Sequence, residues 1–236
     1  RWDISCHSTG MSVVKNGTYA GYTLAQLIAA KKGELVGTRV SAEVFPLLVK
    51  VINSREKLSV QVHPDDDYAL LVEKQLGKEE IWYVIDAQPG ATLTLGVKDN
   101  CTKPELAAAL AEGRIEEKLN QVAVKKGDVY HIPCGMIHAI GPGIVLLEVQ
   151  QSSDVTYRLF DYGRDRELHT AKALDVLELH PPAEQRAASR REQGCLITRY
   201  CESRKLILEL VEIPAGCGCT SDPERFHIYT CVEGRG

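Results

Sequence analysis

No stretch of this chain is apolar for long enough to cross a bilayer as a helix, which takes about 20 residues. The opening RWDISCHSTG lacks the apolar core of a signal peptide. Both it and the closing HIYTCVEGRG read as the interior of a domain, so further chain is expected on either side. Positive charge is not in excess: 28 Lys and Arg stand against 32 Asp and Glu, a formal charge of −4. That balance gives no support to a nucleic-acid or anionic-membrane partner, and leaves room only for a local basic group around a small anion. The eight cysteines include no CxxC pair, so free thiols in the cytoplasm are expected rather than a disulfide framework. Cys217 and Cys219 form the one tight pair; two thiols alone do not make a structural zinc site, and CGC reads as a turn. There is no low-complexity tract.

At 236 residues the chain has room for one large β domain or two small ones, with a sizeable core. Short strand-like runs dominate. FPLLVKVINSREKLSVQVHP gives two strands, and EEIWYVIDAQPGATLTLGV gives strand, Pro-Gly turn, strand. Helical patterns interrupt them. GYTLAQLIAAKKGELVG predicts a short helix closed by Gly33, and DDDYALLVEKQLGK one that stops at Gly77. TKPELAAALAEGRIEEKLN predicts a helix with Thr102 as N-cap and Pro104 in its first turn. TAKALDVLELHPP predicts another, followed by a polar connector, with a domain boundary between Pro181 and Gly194. The pattern suggests an antiparallel sandwich or jelly roll with added helices, not alternating βαβ units.

In KLSVQVHPDD, Leu58, Val60 and Val62 alternate with Ser59, Gln61 and His63. Side chains at i and i+2 of a strand face one side, so Gln61 and His63 can converge on one metal ion about 2 Å from each donor. Alone this is weak, because an isolated strand histidine is more often a hydrogen-bonded core or surface group. GKEEIWYVID puts Lys78 and Glu80 on one side of a strand, for which a solvated charged start is the blander reading. HIPCGMIHAIGPG places His138 in a tight turn, with His131 as its competitor. Beyond it, Glu148, Gln150, Ser152, Asp154, Thr156 and Arg158 share a strand face if no bulge intervenes, backed by Val145, Leu147 and Val149. Such a polar face is either solvated or lines a cavity inside a barrel. Asp65, Asp66 and Asp67 read as helix capping in preference to a second metal site.

WDISCH, LSVQVHPDD, GKEEIWYVID and IPCGMIHAIGPGIVLLEVQQSSDVTYRLFDYGR together resemble the type I mannose-6-phosphate isomerases, in their shorter bacterial branch. The resemblance is dense from Trp2 to Arg166 and looser beyond. It implies a mainly β, double cupin fold of jelly-roll barrels with a few added helices. Residues 1–180 would form the catalytic cupin domain, and 181–236 a connector and the start of a second cupin that the family continues further. The family's aromatic- and glycine-rich first strand has no counterpart before Arg1, and Asp3 stands where Glu is more usual.

Carried over by residue, the resemblance implies one Zn²⁺ held by Gln61, His63, Glu80 and His138. It places Arg158 at the active site, with Lys78, Ser59 and Glu148 in the pocket. The substrate would be a sugar phosphate, and the reaction the interconversion of mannose 6-phosphate and fructose 6-phosphate. One carboxylate under a dication leaves a charge of about +1, suited to an anion that develops during reaction. Arg158 would add a fixed positive charge, and Lys78 is the candidate phosphate contact. Glu148 is the candidate base, although an arginine neighbour would lower its pKa; a metal-activated water and His131 are alternatives. Trp82 reads as packing beside the site rather than a sugar platform. The competing class is a cupin sugar-phosphate binding or regulatory module without turnover. The oligomeric state is open.

Overall fold

In the computed structural model, which describes residues 1–41, 44–179, 187–214, 216, 218 and 222–235, Val60 and Val62 are fully buried and Gln61 between them is half-buried. The predicted alternation is thus present, and its two sides lead to different surroundings. In chain order the elements are β1 Trp2–Ile4, β2 Cys6–His7, β3 Gly10–Met11, α1 Leu24–Lys31, α2 Gly33–Val36, β4 Leu47–Ser54, β5 Val60–Val62, α3 Asp66–Val72, β6 Glu80–Ala87 and β7 Thr92–Val97. There follow α4 Lys103–Ala111, a 3-10 turn Ile115–Lys118, β8 Leu119–Ala123, β9 Val129–Ile132, β10 His138–Ile140, β11 Ile144–Gln151, β12 Tyr157–Phe160, α5 Thr170–Val176, β13 Ala188–Glu192, β14 Cys195–Glu202 and β15 Ile207–Glu212. The protein is mainly β with a few helices.

Two compact units are present: residues 51–185, and residues 1–50 together with 186–236. Within 51–185, which takes in the Val51–Ser54 part of β4, one sheet runs β4-β11-β6-β9 and the other β12-β5-β10-β7-β8. Antiparallel ladders join β11 to β6, β6 to β9, β12 to β5, β5 to β10, and β10 to β7. This is the jelly-roll arrangement. One core cluster, with Trp82, Val84, Leu93, Leu95, Ile132, Ile140, Ile144 and Leu146, draws on strands of both sheets. A second cluster joins Val60, Val62, Ala139, Tyr157 and Leu159 to Leu106 of α4, Ile115, and Ala173 of α5. The helices therefore cover the aliphatic face of β5, β10 and β12, and the opposite face of those strands is free to carry polar groups.

Within the other unit, Ile28, Val36 and Phe45 pack with Phe226 and Ile228, and β13-β14-β15 form a three-stranded meander. Glu209 there accepts from both Arg190 and Arg199, at 2.8 Å each.

Several local expectations shift. The first helix ends at Lys32, with φ 46°, and Gly33 begins α2 instead of closing α1. Helix α3 ends at Val72, five residues before Gly77. Thr102 caps α4 as expected, its hydroxyl accepting from the Glu105 N–H in a capping box with Pro104 in the first turn. Part of the predicted connector, Ala188–Glu192, is strand. Cys217 and Cys219 lie outside the described residues; Cys6, Cys101, Cys134 and Cys231 are free thiols. Among the described residues no helix is long and apolar enough to cross a membrane.

If α4 is held by the second cluster, Leu106→Ala should cost about 2–5 kcal/mol. Leu71→Ala, on the exposed side of α3, should stay within about 0.5 kcal/mol of wild type. Urea unfolding of the two variants tests this, and equal effects would contradict the packing.

Candidate metal centre

Four side chains converge on one point inside the 51–185 unit. Gln61 stands on β5 directly across from His138 on β10, so the sequence-based turn placement of His138 is corrected: it begins a strand. The Gln61 Nε2 and His138 Nε2 atoms are 3.3 Å apart. His63 follows β5, and its Nε2 lies 3.3 Å from Glu80 Oε1 at the start of β6. His138 Nε2 is 3.7 Å from Glu80 Oε2. Donors about 2.0 Å from a tetrahedral zinc lie about 3.3 Å from each other, so these separations suit one small dication. The donor atoms of His63, Glu80 and His138 all fall within 4.8 Å of one another.

Burial sets the electrostatics. His63, Glu80 and His138 are at most 1% exposed. Burial pushes the His63 pKa down to about 3, with Lys78 adding to the effect and Glu80 opposing it. Burial lowers His138 too, against the pull of Glu80. Burial alone would raise Glu80, but Lys78 and the two imidazoles outweigh it and hold the carboxyl well below its usual range. At neutral pH the cluster therefore holds neutral imidazoles and an ionised carboxylate, the protonation states that ligate metal. His138 Nδ1 donates to the Met136 carbonyl at 2.9 Å, which leaves its Nε2 lone pair facing the cluster. Neither Glu80 oxygen has a donor in hydrogen-bonding geometry. Turning the Gln61 amide by 180° presents its oxygen where its nitrogen now stands. These residues fit a divalent metal, and zinc among the candidates.

Lys78, 4% exposed, belongs to the same cluster: its Nζ is 2.8 Å from Glu80 Oε1 and donates to His63 Nε2 at 3.0 Å. The solvated-strand reading of Lys78 and Glu80 is thereby excluded. Ser59 is buried one step before β5, on the Gln61 side by alternation. Glu148 and Gln150 are 3% and 0% exposed and stand across from Trp82 and Glu80. Of the two readings of that polar face, the barrel-lining one holds for these residues. Of the three aliphatics expected to back that face, only Leu147 is buried. Ile144 and Leu146 are in the core, while Val145 and Val149 are only half-buried. Glu148 Oε2 accepts from the Trp82 indole N–H at 3.0 Å, and the indole edge packs on His138 at 5.4 Å.

Arg158 does not extend the Glu148 strand. β11 stops at Gln151 and β12 begins at Tyr157 in the other sheet. There Arg158 pairs directly with Gln61, which brings it to the cluster by a different route from the one the alternation suggested. Its Nη1 donates to the Glu167 carbonyl at 2.7 Å. His131 pairs instead with Glu79, at 2.9 Å. Asp65 caps α3 through the Tyr68 N–H, as expected of the acidic run. Asp66, by contrast, accepts from the Gly77 N–H, a contact the sequence alone did not suggest.

The family model for phosphomannose isomerase type I, catalytic domain, matches residues 1–118. The mannose-6-phosphate isomerase ManA of Bacillus subtilis is 44% identical over 247 residues, covering 100% of this chain and 76% of that protein. The chain belongs to the type I phosphomannose isomerases. A mannose-6-phosphate isomerase of Streptococcus mutans is 46% identical over 82% of this chain, and the match spans 62% of that relative's length. The crystal structure of the B. subtilis mannose 6-phosphate isomerase superposes with a TM-score of 0.81 at 36% identity, covering 88% of this chain and 68% of that one.

The buried Lys78–Glu80 pair is testable without metal. Glu80→Gln leaves the ammonium buried without its anion and should cost about 3–5 kcal/mol. Adding Lys78→Met should recover most of that loss. Urea unfolding in the presence of chelator measures both, and no recovery in the double variant would show that the two charges do not depend on each other.

Proposed function

We propose that this chain interconverts D-mannose 6-phosphate and D-fructose 6-phosphate through a cis-enediol(ate), with one Zn²⁺ held by Gln61, His63, Glu80 and His138. The observation that carries the proposal is the convergence of His63, Glu80 and His138, with Gln61 against His138 and Arg158 across from Gln61, in a chain of this family. When bound, the ion would supply Lewis-acid stabilisation of negative charge on the sugar oxygens.

The remaining work falls to the chain itself. Isomerisation moves a proton from C2 to C1, and charge builds on O1 and O2 in between. Arg158 offers a permanent positive charge for that interval; burial and the neighbouring Arg166 lower its pKa from a very high starting value. Its Nε is buried with no hydrogen-bond partner, which suits a group reserved for substrate. Glu148 is assigned the C2 proton. The Trp82 N–H donates to one of its oxygens and orients the carboxylate in the barrel. Lys78 and Ser59 are assigned to substrate contact, Lys78 by charge and Ser59 by its hydroxyl. Residues 1–180 would then be the catalytic part and 181–236 the start of a second cupin; the β13–β15 meander favours the second half of that reading, while the compact unit that joins 1–50 with 186–236 narrows the site-bearing part to 51–185. The free thiols favour a cytoplasmic setting.

A coupled assay of fructose 6-phosphate formation, before and after chelation and with zinc added back, tests the proposal. Arg158→Ala should bind zinc normally and lose about 10²–10³ in kcat. Saturable binding of mannose 6-phosphate without turnover in the zinc-loaded wild type would favour the binding-module reading.

A further inference from the structure

The zinc donors sit on separate segments, and two of those segments are tied together by a side chain that faces neither substrate nor metal. Gln151, the last residue of β11, is 4% exposed and uses both ends of its amide. Its Oε1 accepts from the Glu79 N–H at 3.0 Å, one residue before Glu80. Its Nε2 donates to Asp66 Oδ1 at 2.9 Å, three residues after His63. The same Asp66 oxygen accepts from the Gly77 N–H at 2.9 Å. The backbone repeats the link: Gln151 N–H donates to the Glu79 carbonyl at 3.1 Å, and Lys78 N–H to the Pro64 carbonyl at 3.1 Å. At Gly77 the segments touch closely enough that a Cβ would lie 2.5 Å from the Asp65 carbonyl carbon.

We infer that Gln151, with Asp66, is a positioning residue for the metal centre: it fixes the spacing of His63 and Glu80 by clamping the segments that carry them. This rests on the metal reading of the cluster. A neutral amide is the group required here, because it must accept from a backbone N–H on one side and donate to a carboxylate on the other. A carboxylate at 151 would face Asp66 as a like charge. A leucine would take the side-chain acceptor from the Glu79 N–H and one of the donors from the Asp66 carboxylate, and so cut the link between the segments. The ligands themselves would be intact in both cases, and only their mutual distance would loosen.

Zinc affinity of the full chain, measured by competition with a chromophoric chelator, tests the clamp, with the melting temperature of the metal-free protein recorded alongside. Gln151→Leu and Asp66→Ala cut the same link from opposite ends, so each should weaken zinc by about 10- to 100-fold. Gln151→Glu should be the weakest single variant. Because Gln151→Leu and Asp66→Ala remove one link, the double variant should bind zinc little more weakly than the worse single variant, a non-additivity that two independent losses of stability do not produce. Wild-type affinity in Gln151→Leu and Asp66→Ala, or fully additive losses in their double variant, overturns the clamp. A wild-type chain that binds no zinc overturns instead the metal reading beneath it.

Discussion

An ionised carboxylate with no exposure to water is the constraint on which the site depends. Glu80 is fully buried, and a lone carboxylate in that position would cost several kcal/mol to keep charged. It stays ionised because Lys78 and two imidazoles stand around it. Burial and Lys78 keep those imidazoles neutral against the pull of Glu80, so each group's protonation state depends on its neighbours. The cluster is a coupled set rather than a sum of independent ligands.

Placing such a set inside a β barrel reverses ordinary patterning. The strands that carry Gln61 and His138 need a polar side facing inward, and their aliphatic residues must be buried somewhere else. Helices α4 and α5 provide the place, by covering Val60, Val62 and Ala139 from outside. The helical additions are therefore part of what allows a polar interior, and more than decoration of a self-sufficient sandwich. Farther along the barrel the interior becomes apolar again, around Trp82, Leu93 and Leu95.

What the sequence reveals follows from the range of each interaction. Alternation in VQV is local, so the strand and the shared side of Gln61 and His63 are legible directly. The caps at Asp65 and Thr102 are local as well. Glu80 was recognisable only through resemblance, because a charged strand start looks the same whether water or protein covers it. Gln61, an amide, would not be nominated as a ligand by spacing rules. Arg158 could be named but not placed, since the break between Gln151 and Tyr157 moves the chain from one sheet to the other and cancels the parity count across it. Gln151 itself has no local signature. Its partners, Asp66 and Glu79, lie 85 and 72 residues away.

The near-zero exposure of His63, Glu80 and His138 also has a kinetic side. An ion held by them is gripped by side chains that water barely reaches, so those side chains must move before water can replace them. Its residence time then depends on how often those side chains swing away as well as on how strongly each donor bonds, and exchange of a labelled ion would act as a clock for that movement.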